Sequence, residues 1–184
     1  MPPFIQPAQV FLTDVSSLRE RTRKHVETGG MTLNYDGDVE AAIDILQAVL
    51  ATELVCFLRY TQHSIVARGI AGEAVKAEFA VHAQEELAHV MLVSQRICQL
   101  GGIPDFDPKN LLSRSASNYE TAMDLVDMIT ENLVAERIAV DHYRELARYF
   151  SQNDPTTRRM IEQILAVEEE HACDMADLLV RQNG

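Results

Sequence analysis

Four glutamates fall in the middle of stripes that are otherwise apolar at helical spacing. Leu46, Leu50, Glu53, Phe57, Tyr60 and Ser64 alternate steps of four and three, the spacing of one inward helix face. The same steps give Val75, Phe79, His82, Glu86, His89, Val93 and Leu100 in a second stretch, and Ile129, Leu133, Glu136, Val140, Tyr143, Ala147 and Phe150 in a third. A fourth carries Ile161, Leu165, Glu168, His171 or Ala172, Met175 and Leu179. Burying even one ionised carboxylate without a partner costs several kcal/mol, so a fold that gathers four of them must also supply cations.

Two of the stretches add a histidine three residues after the glutamate, Glu86/His89 in "EELAH" and Glu168/His171 in "EEEHA". Residues three apart share a helix face, close enough for both side chains to reach one metal. Four carboxylates and two neutral imidazoles balance two divalent cations, and mixed oxygen and nitrogen donors suit iron or manganese better than a thiolate-seeking metal. Glu53 precedes Glu86 by 33 residues and Glu136 precedes Glu168 by 32, so the device repeats in two halves. Two such hairpins about a pseudo-twofold axis form a symmetric dinuclear site, with Glu169 and Glu170 on more exposed faces.

Punctuation supports an all-α reading. Asp38 opens a stretch that ends near Gly69, and a second runs from about Gly72 to Gly101-Gly102. Ser117 with Glu120 forms a capping-box signature for a third, ending near Phe150, and Asp154-Pro155 opens the fourth. Short connections make the first and last pairs antiparallel hairpins. Between the pairs lie roughly 15 residues, "GGIPDFDPKNLLSRSA"; extended at ~3.3 Å per residue, they can run the length of a helix of about 45 Å, so the second and third helices can be parallel. Residues 1–37 form an extended, proline-bearing arm and a short helix capped by Thr13 or Asp14 that stops at Gly29-Gly30; residues 38–184 form a four-helix bundle with a long crossover.

The balance of 16 Lys plus Arg against 28 Asp plus Glu, a formal −12, repels nucleic acid and anionic membranes and attracts cations. Three cysteines without a CxxC pair, Cys56, Cys98 and Cys173, argue for a reducing compartment. With no signal-like N-terminus and no apolar run of bilayer length, the chain reads as soluble and cytoplasmic.

The ligand set is that of ferritin-like di-iron and di-manganese bundles, and over about residues 38–181 the sequence resembles the bacterioferritin-like branch of the ferritin superfamily. "ELVCFLRYTQHS" is similar to its first-helix motif, with Tyr60 seven residues after Glu53. The resemblance implies Glu53 and Glu136 as terminal ligands, Glu86 and Glu168 as bridges, and His89 and His171 as nitrogen ligands. It implies a ferroxidase that holds two iron ions per subunit, with manganese or zinc as substitutes, and oxidises Fe2+ with O2 or H2O2 for storage, detoxification and protection against oxidative stress.

Leu87 stands where haem-binding members place methionine, so haem is not expected. The chain ends 13 residues after His171, too soon for the fifth helix of 24-subunit shells, and carries an N-terminal helix instead. That combination resembles the Dps-like group with a bacterioferritin-type site and a hollow 12-subunit shell, a 24-mer being the alternative. The cysteine pair of thioferritins is not evident in the crossover.

Blander readings apply elsewhere. His63 and His82 are expected to be hydrogen-bonded in the core, with an accessory iron role as the alternative; His142 is expected at the surface, and the cysteines as small buried fillers. "RERTRKH", residues 19–25, is the one basic cluster; Glu20 and Glu27 dilute it, favouring contacts between subunits over DNA. A rubrerythrin-like peroxidase would carry a further glutamate where Ala139 stands, a manganese-catalase match is weaker, and a DNA-protecting shell starts poorly from −12.

Overall fold

The frame of the computed structural model is four long helices whose inward stripes are the apolar seams just described. The structure describes residues 14–24, 26, 35, 37–69 and 72–182. Two compact units divide the chain, Met1–Asn34 and Tyr35–Gly184.

In the first unit, α1 (Val15–Arg23) is capped by Asp14, whose side chain accepts from the Ser17 amide, and it buries no residue. The proline arm, the alternative cap at Thr13, the stop at Gly29-Gly30, and His25 and Glu27 of the basic cluster lie outside the described residues.

The second unit holds α2 (Val39–Val66), α3 (Gly72–Gln99), the short α4 (Leu111–Arg114), α5 (Leu125–Phe150) and α6 (Pro155–Gln182). Asp38 caps α2 through the Ala41 amide. At the end of α3, Gly101 takes φ +87°, and the Gly102 amide reaches back to the Ile97 carbonyl at 2.9 Å; a side chain at position 101 would strain this turn. Asp154 caps α6 through the Thr157 amide and accepts both a two-pronged bond from Arg96 and one from the Tyr35 hydroxyl. The start of α6 is thereby tied to α3.

The crossover climbs the outside of α2 in register. Gln47 bonds the Ile103 carbonyl and the Asp105 amide, Thr52 accepts from the Ala116 amide, Arg59 donates to the Asn118 carbonyl, and the Tyr119 hydroxyl meets Gln62. This carries the chain from one end of α2 to the other, so α3 and α5 are parallel.

Ser117 does not open a helix. It folds into a turn with Ser115, and α5 begins eight residues later, where Asp124 caps the Val126 and Asp127 amides. The residues of the supposed capping box are needed as extended chain to complete the climb.

Two large apolar clusters fill the bundle, and a small third, Ala51, Val55 and Leu111, seats α4 on α2. Leu46, Leu50, Val93, Ile97, Phe150 and Ile161 belong to one apolar cluster, and Phe79, Val75, Met128, Ile129, Met175 and Leu178 to another. The glutamate layer lies between them along every seam. Contrary to the sequence expectation, α2 is long and apolar enough to cross a membrane by length and composition. Its apolar side is taken up by the bundle core, and its middle carries buried Glu53 and Arg59.

Candidate metal centre

All seven residues singled out in the sequence converge here, and all are buried: Glu53 and Tyr60 from α2, Glu86 and His89 from α3, Glu136 from α5, and Glu168 and His171 from α6. Their donor atoms form two tetrads, Glu53–Glu86–His89–Glu168 and Glu86–Glu136–Glu168–His171, each within 4.8 Å. Glu86 and Glu168 belong to both.

His89 Nδ1 lies 3.0 Å from Glu53 Oε2, its hydrogen-bond partner, and 3.0 Å from Glu168 Oε1. His171 Nδ1 faces Glu168 at 3.4 Å, Glu86 at 3.7 Å and Glu136 at 3.9 Å, while its Nε2 meets Glu85 Oε2 at 2.9 Å. With the proton on Nε2 directed at Glu85, the Nδ1 lone pair is aimed into the second tetrad, the orientation a metal-ligating histidine needs.

Electrostatics in the metal-free layer follow from crowding. Burial first, then the neighbouring Glu168, pushes the carboxyls of Glu86 and Glu136 well above the usual range. Burial acts the same way on Glu168, but contacts from His171 and His89 prevail and hold it low. For both imidazoles burial works against the charge; contact with Glu168 and its fellow carboxylates overcomes it, raising His171 to about 9 and His89 further.

The donor set fits two cations. Among the described residues, both carboxylate oxygens of Glu86 and of Glu168, Glu136 Oε2 and His171 Nδ1 are buried without a hydrogen-bond partner. Six orphaned polar atoms pointing into one layer would each be costly in a permanently metal-free core.

Over residues 43–183 the chain matches the family described as Ferritin-like domain. The chain belongs to the ferritin-like family. Among relatives of this ferritin-like chain, the DNA protection during starvation protein of Pyrococcus furiosus is 30% identical over 87% of this chain and 85% of its own. A solved dodecameric thioferritin, the bacterioferritin-related protein of Bacteroides fragilis, is 35% identical with a TM-score of 0.77, covering 80% of this chain and 89% of that one. Dps from Thermosynechococcus elongatus, at 18% identity and TM-score 0.73 over 76% of this chain and 90% of its own, shares the fold.

Several neighbours of the layer escaped the sequence reading. The Tyr143 hydroxyl donates to Glu53 Oε1, just as the Tyr60 hydroxyl donates to Glu136 Oε1. The signal was present: Tyr143 follows Glu136 by seven residues, as Tyr60 follows Glu53, so the internal repeat extends to the tyrosines. Arg59 is fully buried and donates to Asn132 Oδ1 at 2.8 Å, and Asn132 in turn meets His63 Nδ1 at 3.1 Å. His63 is thus a hydrogen-bonded core histidine, held neutral by burial and by Arg59.

His82 is buried as expected but more loosely held: its Nδ1, like His63 Nε2, has no partner among the described residues, and its Nε2 comes no closer than 3.5 Å to Glu78 and Asp174. His142 is half-buried where a surface position was expected, because it shares the helix turn of Tyr143 and stacks on that ring. All three cysteines are free; Cys56 is buried, whereas Cys98 and Cys173 lie on outward faces and are exposed, not the fillers expected. Glu169 and Glu170 face outward.

Proposed function

We propose that this ferritin-like protein is a ferroxidase. The observation that carries the reading is the sharing of Glu86 and Glu168 between two buried donor tetrads, which suits two Fe2+ substrate ions side by side. Glu53 and His89 would complete the first position, Glu136 and His171 the second. Four carboxylates balance the charge of two Fe2+ ions, and iron, manganese and zinc all accept this donor set.

The net reaction is two Fe2+ plus O2 plus two protons giving two Fe3+ and H2O2, or two Fe2+ plus H2O2 plus two protons giving two Fe3+ and two waters. Each iron loses one electron, and the oxidant gains two. The chain's part is to hold both ions at fixed separation, exclude bulk water between two apolar clusters and orient the terminal ligands. Tyr60 and Tyr143 fix Glu136 and Glu53 by donating to one oxygen of each; burial, reinforced by these carboxylates, raises both phenols well above their usual range and keeps them donors.

The Fe3+ product would collect inside a shell of identical subunits in the cytoplasm. The dodecameric thioferritin supports twelve copies. A DNA-protecting shell is the weaker second reading: the name of the Pyrococcus relative and the basic residues of α1 favour it, and the overall −12 opposes it.

Aerobic addition of Fe2+ to metal-free protein, followed optically, tests the assignment. Glu86→Ala and Glu168→Ala should each abolish rapid oxidation, since no neighbouring carboxylate reaches both tetrads, whereas Tyr60→Phe should slow it more mildly. Near-normal initial rates in both glutamate variants would sink the reading.

A further inference from the structure

The internal repeat predicts that what flanks one half of the dinuclear layer flanks the other, and on one side it does not. Glu78, His82 and Glu85 precede Glu86 by eight, four and one residues, and Asp174 follows Glu168 by six. The corresponding positions of the other half are Met160, Ile164, Val167 and Leu92, all apolar. Four polar residues therefore replace hydrophobic ones around His171 alone. Glu85 orients His171; neither the bundle core nor the dinuclear layer accounts for the other three.

Those three converge. His82 is 1% exposed, and its Nε2 points between Glu78 Oε1 and Asp174 Oδ2, 3.5 Å from each. A protonated imidazole clamped by two carboxylates would draw in to about 2.8 Å, the length of a charge-assisted hydrogen bond. Three donors bound to one small divalent ion at about 2.1 Å in a tetrahedral arrangement stand about 3.4 Å apart. Both distances from His82 match the second case, and the three donor atoms lie within 4.8 Å of one another. Glu78 and Asp174 are 40% and 49% exposed at the side chain, so the cluster is open to solvent on its outer side. On its inner side the His82 ring stacks on His171 with centroids 3.9 Å apart and planes 20° from parallel. Glu85, bonded to His171 Nε2, closes the gap between the two.

We infer that Glu78, His82 and Asp174 form a third divalent-cation site, which takes Fe2+ or a similar first-row transition ion from solvent and loads the His171 half of the dinuclear centre. The inference rests on the ferroxidase reading for its purpose, but not for its chemistry. One nitrogen and two carboxylate oxygens suit the same borderline cations as the inner site, and a single net charge of −2 binds one ion without competing with four carboxylates. Transfer needs no redox step: the ion leaves His82 and its two outer carboxylates and takes the donors of the tetrad that includes His171 in their place.

The test is anaerobic titration of metal-free, full-length protein with Co2+, comparing wild type with the double variant Glu78→Gln/Asp174→Asn. Both substitutions sit on half-exposed side chains and preserve volume. The variant is expected to bind one Co2+ per subunit fewer than wild type, and to oxidise limiting Fe2+ about tenfold more slowly in the first phase, in line with the loss of metal affinity when a supporting ligand is removed. Equal Co2+ stoichiometry in the two proteins overturns the site. A lost ion with an unchanged oxidation rate overturns the loading role. Glu86→Ala, titrated alongside, reports on the dinuclear centre separately: failure to lose inner-site Co2+ there counts against the ferroxidase reading, and leaves the comparison of wild type with the double variant intact.

Discussion

On the proposed reading, protons and metal ions compete for the same atoms at this site. In the metal-free protein His171 titrates at about 9 and His89 higher, so both are imidazolium at neutral pH, and Glu86 and Glu136 hold on to protons above the usual carboxylate range. A divalent ion can bind only by displacing those protons. The sign follows: below its raised pKa each histidine must give up a proton, so apparent affinity climbs as pH rises, and the contribution of His171 levels off above about 9. At pH 7 loading both positions should release at least the two imidazolium protons per subunit. Calorimetry in buffers of different ionisation enthalpy measures that number directly, and metal binding without proton release would contradict the electrostatics described.

At the scale of elements, the long helices were legible because each seam fixes both a length and a face. Nearly every seam residue is buried or half-buried, including the four glutamates at the midpoints of the helices. Tyr143 was legible too, but only once the repeat was followed beyond its acidic residues. Arg59 and Asn132 were not, since a polar residue on a helix normally faces solvent and only the crossover passing Asn118 shows that this one does not. The misplaced start of α5 has a related cause. Ser117 and Glu120 satisfy a local pattern, whereas the real boundary is set by how far the crossover must travel along α2, and the nearer cap lost to a tertiary demand. Asp154 is the opposite case, where cap and tertiary contact coincide. Asp154→Ala removes the bond to the Thr157 amide and takes from Arg96, 13% exposed at the side chain, its ion-pair partner, leaving it the bonds to Thr157 and Gln99. Loss of a cap together with a part-buried ion pair should cost about 2–3 kcal/mol. For a chain of this size that lowers Tm by roughly 5–10 °C. Asp154→Asn, which keeps a capping oxygen, should fall between the variant and wild type in thermal melts.

At the scale of the whole molecule, the bundle leaves several large apolar side chains uncovered. Ile65, Ile103, Leu112, Met123 and Val180 are each more than 60% exposed, on α2, the crossover and α6. Such residues are ordinary when scattered singly but invite association when neighbouring copies can cover them together. The formal −12 pulls the other way, since like charges repel across any contact, unless carboxylates are turned toward solvent and an interior that gathers Fe2+. A closed assembly satisfies both demands, because point-group symmetry buries repeated patches without leaving open ends from which fibres grow. Twelve copies of the 20.6 kDa chain amount to about 250 kDa. Light scattering in physiological salt should return that mass, with little sensitivity to further salt if apolar contacts dominate and growing stability with salt if charge repulsion limits assembly. A 24-subunit mass would rule out the dodecamer and leave the ferroxidase chemistry untouched, whereas a stable monomer would leave the oxidised iron with no shell to hold it.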